Sequence, residues 1–168
     1  MPKVNNGNKR RWPGLLPLVI ALSVLAADQL SKLGIQANLA VGESIPEDGF
    51  FSFHHVQNTG AAFGIFQGYT LPLIIIAFIG IALIVYALFF SRFSFLESTE
   101  SRLAFSLVLG GTAGNLVDRI ARGMVTDFIE IGPWPEFNIA DSAVVIGTIL
   151  FAYAVIRQTI REQGKDGQ

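Results

Sequence analysis

The sequence predicts an all-α polytopic membrane protein: four transmembrane helices, with strand-forming segments confined to the connections on one side. Three observations predict this class. The chain has 168 residues, of which 51% are apolar, and a mean hydropathy of +0.50, high for a soluble domain of this length. Four apolar runs approach the roughly 20 residues that a spanning helix needs. Lysine and arginine gather in alternate connections, as the positive-inside rule requires of a multi-pass chain.

The runs extend over about 13–33, 71–90, 103–120 and 139–156. The second, LPLIIIAFIGIALIVYALFF, contains no charge, whereas the third and fourth carry polar residues near one end. Basic residues mark one side: Lys3, Lys9, Arg10 and Arg11 before the first run, Arg92 and Arg102 around the 91–102 loop, and Arg157, Arg161 and Lys165 after the fourth. The 34–69 segment has neither Lys nor Arg. Both termini are therefore expected in the cytoplasm, and the segments 34–69 and 121–138 outside. The start of the chain has the outline of a signal peptide, with a basic region, an apolar region and Ala26-Ala27. The length of its apolar run favours an uncleaved first span. Trp12 and Trp134 fall at opposite expected interfaces. With no internal repeat or linker evident, residues 1–168 read as one domain.

Composition removes several function classes. A net charge of −1 argues against a nucleic-acid partner. The absence of cysteine removes disulfides, thiol catalysis and thiolate metal sites. The two histidines, His54 and His55, are adjacent and point to opposite faces of a strand, so they make a poor chelating pair. No metal site and no cofactor is expected.

Of the outer segments, Phe50–Gln57 (FFSFHHVQ) reads as a strand, followed by a turn signal at Asn58-Thr59-Gly60. Ala61–Phe66 suits a short helix on the membrane surface. Met124–Ile131 (MVTDFIEI) reads as a second strand, with Val125, Asp127, Ile129 and Ile131 on one face. Gly132-Pro133-Trp134-Pro135 then has to turn the chain back.

The candidate site residues are charges where charge is expensive. Asp28, Lys32, Asp118, Arg119 and Asp141 lie in or at the ends of apolar runs, and Asp127 lies between two of them. Each costs roughly 2.5–3.5 kcal/mol at mid-bilayer by insertion scales, so it is a functional candidate. Counting about 1.5 Å per helical residue, all six fall in one layer near the outer edge of the bundle.

Asp127 and Asp141 can fold beside each other across the intervening turn. Two carboxylates in a poorly solvated site share a proton, which suits acid–base activation of water. Asp127 as a tolerated charge at the rim is the alternative. In the third run Gly111, Asn115, Asp118 and Arg119 share a helix face, and Gly110-xxx-Gly114 permits close helix packing. Arg119 either reaches out to headgroups or donates to a substrate carbonyl or lipid phosphate. Asp28 and Lys32, one turn apart, suit an ion pair. Asn138 either donates to substrate or caps the fourth helix. Asn58 holds a turn or binds substrate backbone.

These residues occur in five ordered blocks: Asp28-Gln29-Leu30-Ser31-Lys32, Asn58-Thr59-Gly60-Ala61-Ala62-Phe63, Gly114-Asn115-Leu116-Val117-Asp118-Arg119, Val125-Thr126-Asp127-Phe128 and Phe137-Asn138-Ile139-Ala140-Asp141-Ser142. In them the chain resembles the lipoprotein signal peptidases, or signal peptidase II, over nearly all of its length between the tails. The resemblance implies a four-span aspartic endopeptidase of the bacterial cytoplasmic (inner) membrane, with a small extracytoplasmic β cradle and loop. Such enzymes remove the signal peptide of diacylglyceryl-modified prolipoproteins, cutting before the lipidated cysteine, and are targets of cyclic peptide antibiotics. By resemblance Asp127 and Asp141 are the catalytic dyad. Asn58, Gly111, Asn115, Arg119 and Asn138 line the substrate and membrane-lipid site, Asp28 and Lys32 support it, and Asp118 lies in the same block. A monomer is expected. Three other readings compete: a transporter or proton pathway, a non-catalytic membrane scaffold, and a serine–lysine peptidase using Ser31 and Lys32.

Overall fold

The computed structural model describes residues 15–61, 65–90 and 98–166, the last three without side chains. The basic tail with Trp12, the first residues of the first run, the middle of the expected surface helix at 62–64, Arg92 and the Lys165 side chain lie outside the described residues.

Four helices form: α1 (Leu16–Asn38), α2 (Thr70–Phe90), α3 (Thr99–Arg122) and α4 (Ile139–Asp166). They extend beyond the apolar runs, most of all at the ends of α1 and α4, because helical hydrogen bonding continues into polar sequence once a helix is nucleated. α1, α2 and α4 are long and apolar enough to cross a membrane. α3 is more polar, and it packs against all three other helices, burying Ser101, Ser106 and Asp118 among them. α2 has no fully buried side chain and exposes Leu71, Ile75, Ile76, Phe78, Ile79 and Leu83, a surface suited to lipid.

Local signals delimit α3. Ser98 Oγ accepts from the Ser101 backbone N–H at 3.1 Å, Glu100 sits in the first turn, and Arg119 and Arg122 sit in the last. Gly123, at φ 76°, closes the helix in a left-handed conformation that other residues adopt only with strain.

Glycines set the helix spacing. A Cβ on Gly110 would come within 2.6 Å of the Ala21 carbonyl oxygen of α1, and one on Gly147 of α4 within 2.8 Å of the Ala104 carbonyl oxygen of α3. A Cβ on Gly111 would collide with the Ala140 carbonyl oxygen. Glycines on adjacent faces of α3, with Gly147 on α4, thus let α1 and α4 approach α3 closely. Gly111→Val should cost about 1–3 kcal/mol by overpacking, read as a lower melting temperature in detergent. It should also reduce activity, because the displaced Ala140 adjoins Asp141.

A four-stranded antiparallel sheet, in the order β1-β2-β3-β4, covers one end of the bundle. The strands are β1 (Ser44–Ile45), β2 (Phe51–Asn58), β3 (Val125–Ile131) and β4 (Trp134–Phe137). β2 and β3 coincide with the two expected strands. β1 and β4 have no strand signal in the sequence: β1 is two residues long, and Pro135 argues against β4. The expected turn at Gly132-Pro133 forms a hairpin, with Gly132 at φ 51° and its N–H bonded to the Phe50 carbonyl at 2.7 Å. Phe53 pairs with Ile129 and Val56 with Asp127, so His54 and His55 form a bulge opposite Phe128. His55 is buried and His54 half-exposed, as the alternation of a strand predicts.

Chain direction places this sheet beside the C-terminal ends of α1 and α3 and the N-terminal ends of α2 and α4. All six candidate charges belong to that end.

Candidate active site

The base of the site is a buried ion cluster. Lys32 Nζ lies 2.8 Å from Asp28 Oδ2 and 2.9 Å from Asp118 Oδ2, and it donates to Asn115 Oδ1 at 2.9 Å. Its three donors are therefore matched by three acceptors. Asp28 and Lys32 have no exposed surface and Asp118 only 1%. The expected ion pair is present, as part of a larger cluster. Asp28 Oδ1 also accepts the Ala140 N–H at 2.9 Å, which ties α1 to the first turn of α4. Asp118 is further contacted by Gln29 at 3.3 Å and by Arg122 at 3.5 Å, two residues that sequence reasoning did not single out.

Asn115 links this base to Asp141, donating through Nδ2 to Asp141 Oδ1 at 2.7 Å. Asn138 is the N-cap of α4: its Oδ1 accepts the Asp141 N–H at 2.8 Å, and its own N–H faces Asp141 Oδ2 at 3.3 Å. The pair forms a reciprocal cap, so Asp141 is fixed by the start of its own helix. Asn138 Nδ2 then donates to Asp127 Oδ1 at 2.7 Å. One fully buried asparagine thereby touches both aspartates.

Asp127 reaches the same point from β3, where it is 3% exposed, too buried for a rim charge. Its other oxygen accepts from Asn58 Nδ2 at 2.9 Å. Asn58 also holds the turn, since its Oδ1 accepts the Gly60 N–H at 2.8 Å. Of the two sequence readings of this residue, the turn is observed, and the same side chain also contacts Asp127. Burial, and then the charge of Asp141, push the Asp127 carboxyl up to about 7, against the hydrogen bonds of Asn58 and Asn138.

Arg119 Nη2 donates to the Gly60 carbonyl at 2.8 Å, so it holds the turn against α3 instead of reaching away from the protein. Its guanidinium lies within electrostatic reach of Asp141, Asp127 and Asp118. Gly111 belongs to the α3–α4 contact, one turn from Asn115. The Ser31 hydroxyl donates to the Asp28 carbonyl of its own helix at 2.8 Å, away from Lys32. Thr126 was missed by sequence reasoning: Gln36 donates to its hydroxyl at 2.6 Å, and its N–H approaches Asp118 Oδ2 at 3.5 Å. These contacts anchor β3 next to Asp127.

Chemically, the arrangement offers two carboxyls from different elements, steadied by neutral amides above a neutralised ionic base. Such a pair can both donate and accept a proton.

Comparison with known proteins identifies the family. The family pattern described as signal peptidase (SPase) II matches residues 20–157. The chain is 49% identical, over 81% of its length and 86% of the relative's, to a lipoprotein signal peptidase of Dehalococcoides mccartyi. It is 39% identical to one of Moorella thermoacetica, over 89% of this chain and 97% of that one. Among solved structures it resembles two bacterial membrane enzymes. The TM-scores are 0.76 and 0.74, the identities 34% and 31%, and the shares covered 86% and 89% of this chain and 89% and 97% of theirs. The ordered motifs, the helical bundle with its antiparallel sheet and these relatives agree: the chain is a membrane protease belonging to the signal peptidase II family.

Proposed function

We propose that this protein removes the signal peptide of diacylglyceryl-modified prolipoproteins, cutting before the lipidated cysteine, with Asp127 and Asp141 as the catalytic dyad. The observation that carries this reading is Asn138, which holds both carboxyls at the sheet end of the bundle. With one proton between them, one aspartate takes a proton from water while the other protonates the scissile carbonyl oxygen. The water oxygen bonds to the carbonyl carbon. Collapse of the tetrahedral intermediate then breaks the C–N bond: one hydroxyl proton returns to the aspartate that had protonated the carbonyl oxygen, and the amine leaves with the proton taken from water. Asn58, Gly111, Asn115, Arg119 and Asn138 form the walls and supports of this site, and Asp28, Lys32 and Asp118 its base. No metal or organic cofactor takes part.

Orientation follows from the basic residues. Both termini face the cytoplasm, and the sheet end lies at the outer face of the cytoplasmic (inner) membrane. The acyl chains of a lipidated cysteine occupy that leaflet, which places the scissile bond at the depth of the dyad. The enzyme acts as a monomer, and cyclic peptide antibiotics that engage the dyad inhibit it. A transport pathway would need polar groups along the bilayer, whereas the six charges cluster at one end and α2 carries none.

The test is cleavage by the purified protein of a diacylglyceryl-modified prolipoprotein, beside the same precursor without lipid. Cleavage of the lipidated form alone supports the reading; equal cleavage, or none, sinks it. In the same assay kcat/KM should fall on the alkaline side, with a midpoint near the raised value of Asp127, about 7. The sign follows from the dyad: below that pH it keeps the shared proton, and above it the proton is lost. Undiminished activity two pH units higher would remove the shared proton from the mechanism.

A further inference from the structure

On the sheet, apart from the dyad, His54 of β2 lies close to two glutamates, Glu130 on the adjacent strand β3 and Glu136 on β4 beyond it. His54 Nδ1 lies 3.0 Å from Glu136 Oε1 and 3.9 Å from Glu130 Oε2, and the three side chains can place one ligand atom each within 4.8 Å of one another. We propose that His54, Glu130 and Glu136 form a divalent metal site of zinc type that clamps β2, β3 and β4 together.

Three observations support it. The donor set is one imidazole nitrogen and two carboxylate oxygens, a combination suited to first-row divalent metals. Ligands held at about 2.0–2.2 Å from a tetrahedral ion lie roughly 3.4 Å apart, between the two distances observed from His54. Second, the site has an outer support: the buried Ser52, paired with Glu130 across β2 and β3, donates its hydroxyl to Glu130 Oε2. Metal-ligating carboxylates are typically held this way. Third, among the described residues no Lys or Arg pairs with either glutamate. Residues 34–91 and 123–156 contain no Lys or Arg, and Arg122, the basic residue nearest in sequence, pairs with Asp118. With a neutral imidazole the set carries two negative charges, and its partial exposure leaves it open to ions from solution.

The site is distinct from the dyad. Glu130 is three residues from Asp127 on β3, so the two side chains leave the strand on opposite faces. Occupancy would brace the strand that carries Asp127 without placing the ion among the reacting groups. The sequence suggested no metal site because neither glutamate is near His54 in the chain, and only the antiparallel pairing assembles the three.

The experiment uses the full chain in detergent, with any purification tag removed and the protein stripped by a chelator. Zinc is titrated by calorimetry, and cobalt by its visible d–d absorption. The expected result is one equivalent bound with a micromolar or tighter dissociation constant, and a higher melting temperature with zinc. His54→Ala and Glu136→Gln should each weaken binding at least tenfold, and Ser52→Ala by about tenfold. Glu136→Gln preserves side-chain shape, so the test stands if His54→Ala folds poorly. Failure to bind a stoichiometric equivalent, or binding unchanged in the folded Glu136→Gln variant, would overturn the proposal.

Discussion

Asp127→Asn and Asp141→Asn should each reduce kcat on lipidated substrate by at least about a thousandfold while the protein stays folded. Asparagine preserves the shape of either side chain but can neither give up nor accept the shuttled proton at neutral pH. Asn138 contacts both positions, and Asn58 and Asn115 each contact one, so the amide network has the means to reorganise around a neutral replacement. Melting temperatures should therefore change little, and Asp127→Asn should even relieve the cost of burying a charge. The double variant should be no slower than the worse single one, because groups that act as a unit are lost together. Activity within about tenfold of wild type in a folded single variant would remove that residue from the dyad, with Asp118 and Asp28 the next carboxylates to test.

Lys32→Met should give the largest loss of stability of any single change in the site. The methionine fills similar volume, but it leaves Asp28 and Asp118 buried without their shared cation and removes a donor from Asn115. Breaking a buried ion cluster from one side costs about 3–5 kcal/mol, which lowers the melting temperature of a chain this size by roughly 10 °C. Adding Asp28→Asn should recover part of the loss: it removes one uncompensated charge, and the amide oxygen can still accept the Ala140 N–H. Lys32→Arg should fail as well, since a planar guanidinium does not match three acceptors arranged around one nitrogen. Activity should fall with stability, because Asn115 is positioned by Lys32 and itself holds Asp141. A shift below about 2 °C for Lys32→Met would show that the cluster is not the structural base of the site.

The helices, their number and the layer in which the charges gather are legible in the residue pattern alone. Apolar length dictates a helix in lipid, since an unpaired backbone amide there costs several kcal/mol. Aromatic-rich composition marked β2, period-2 patterning marked β3, and the one-turn spacing of Asp28 and Lys32 marked their pair. Five motif blocks in order were enough to indicate the family. Packing between elements sets what spacing along one chain cannot express. Asp118 joins Lys32 only when glycines bring α3 and α1 together, and Asn138, a local cap of α4, becomes a bridge to Asp127 only when β3 lies beside the start of α4. Arg119 could reach outward or inward, and the Gly60 carbonyl settled that by offering a partner. β1 and β4 were illegible because a two-residue strand and a proline-bearing one take their stability from neighbouring strands, with little from intrinsic propensity. His54, Glu130 and Glu136 come together for the same reason: pairing across strands brings close residues that the chain holds far apart.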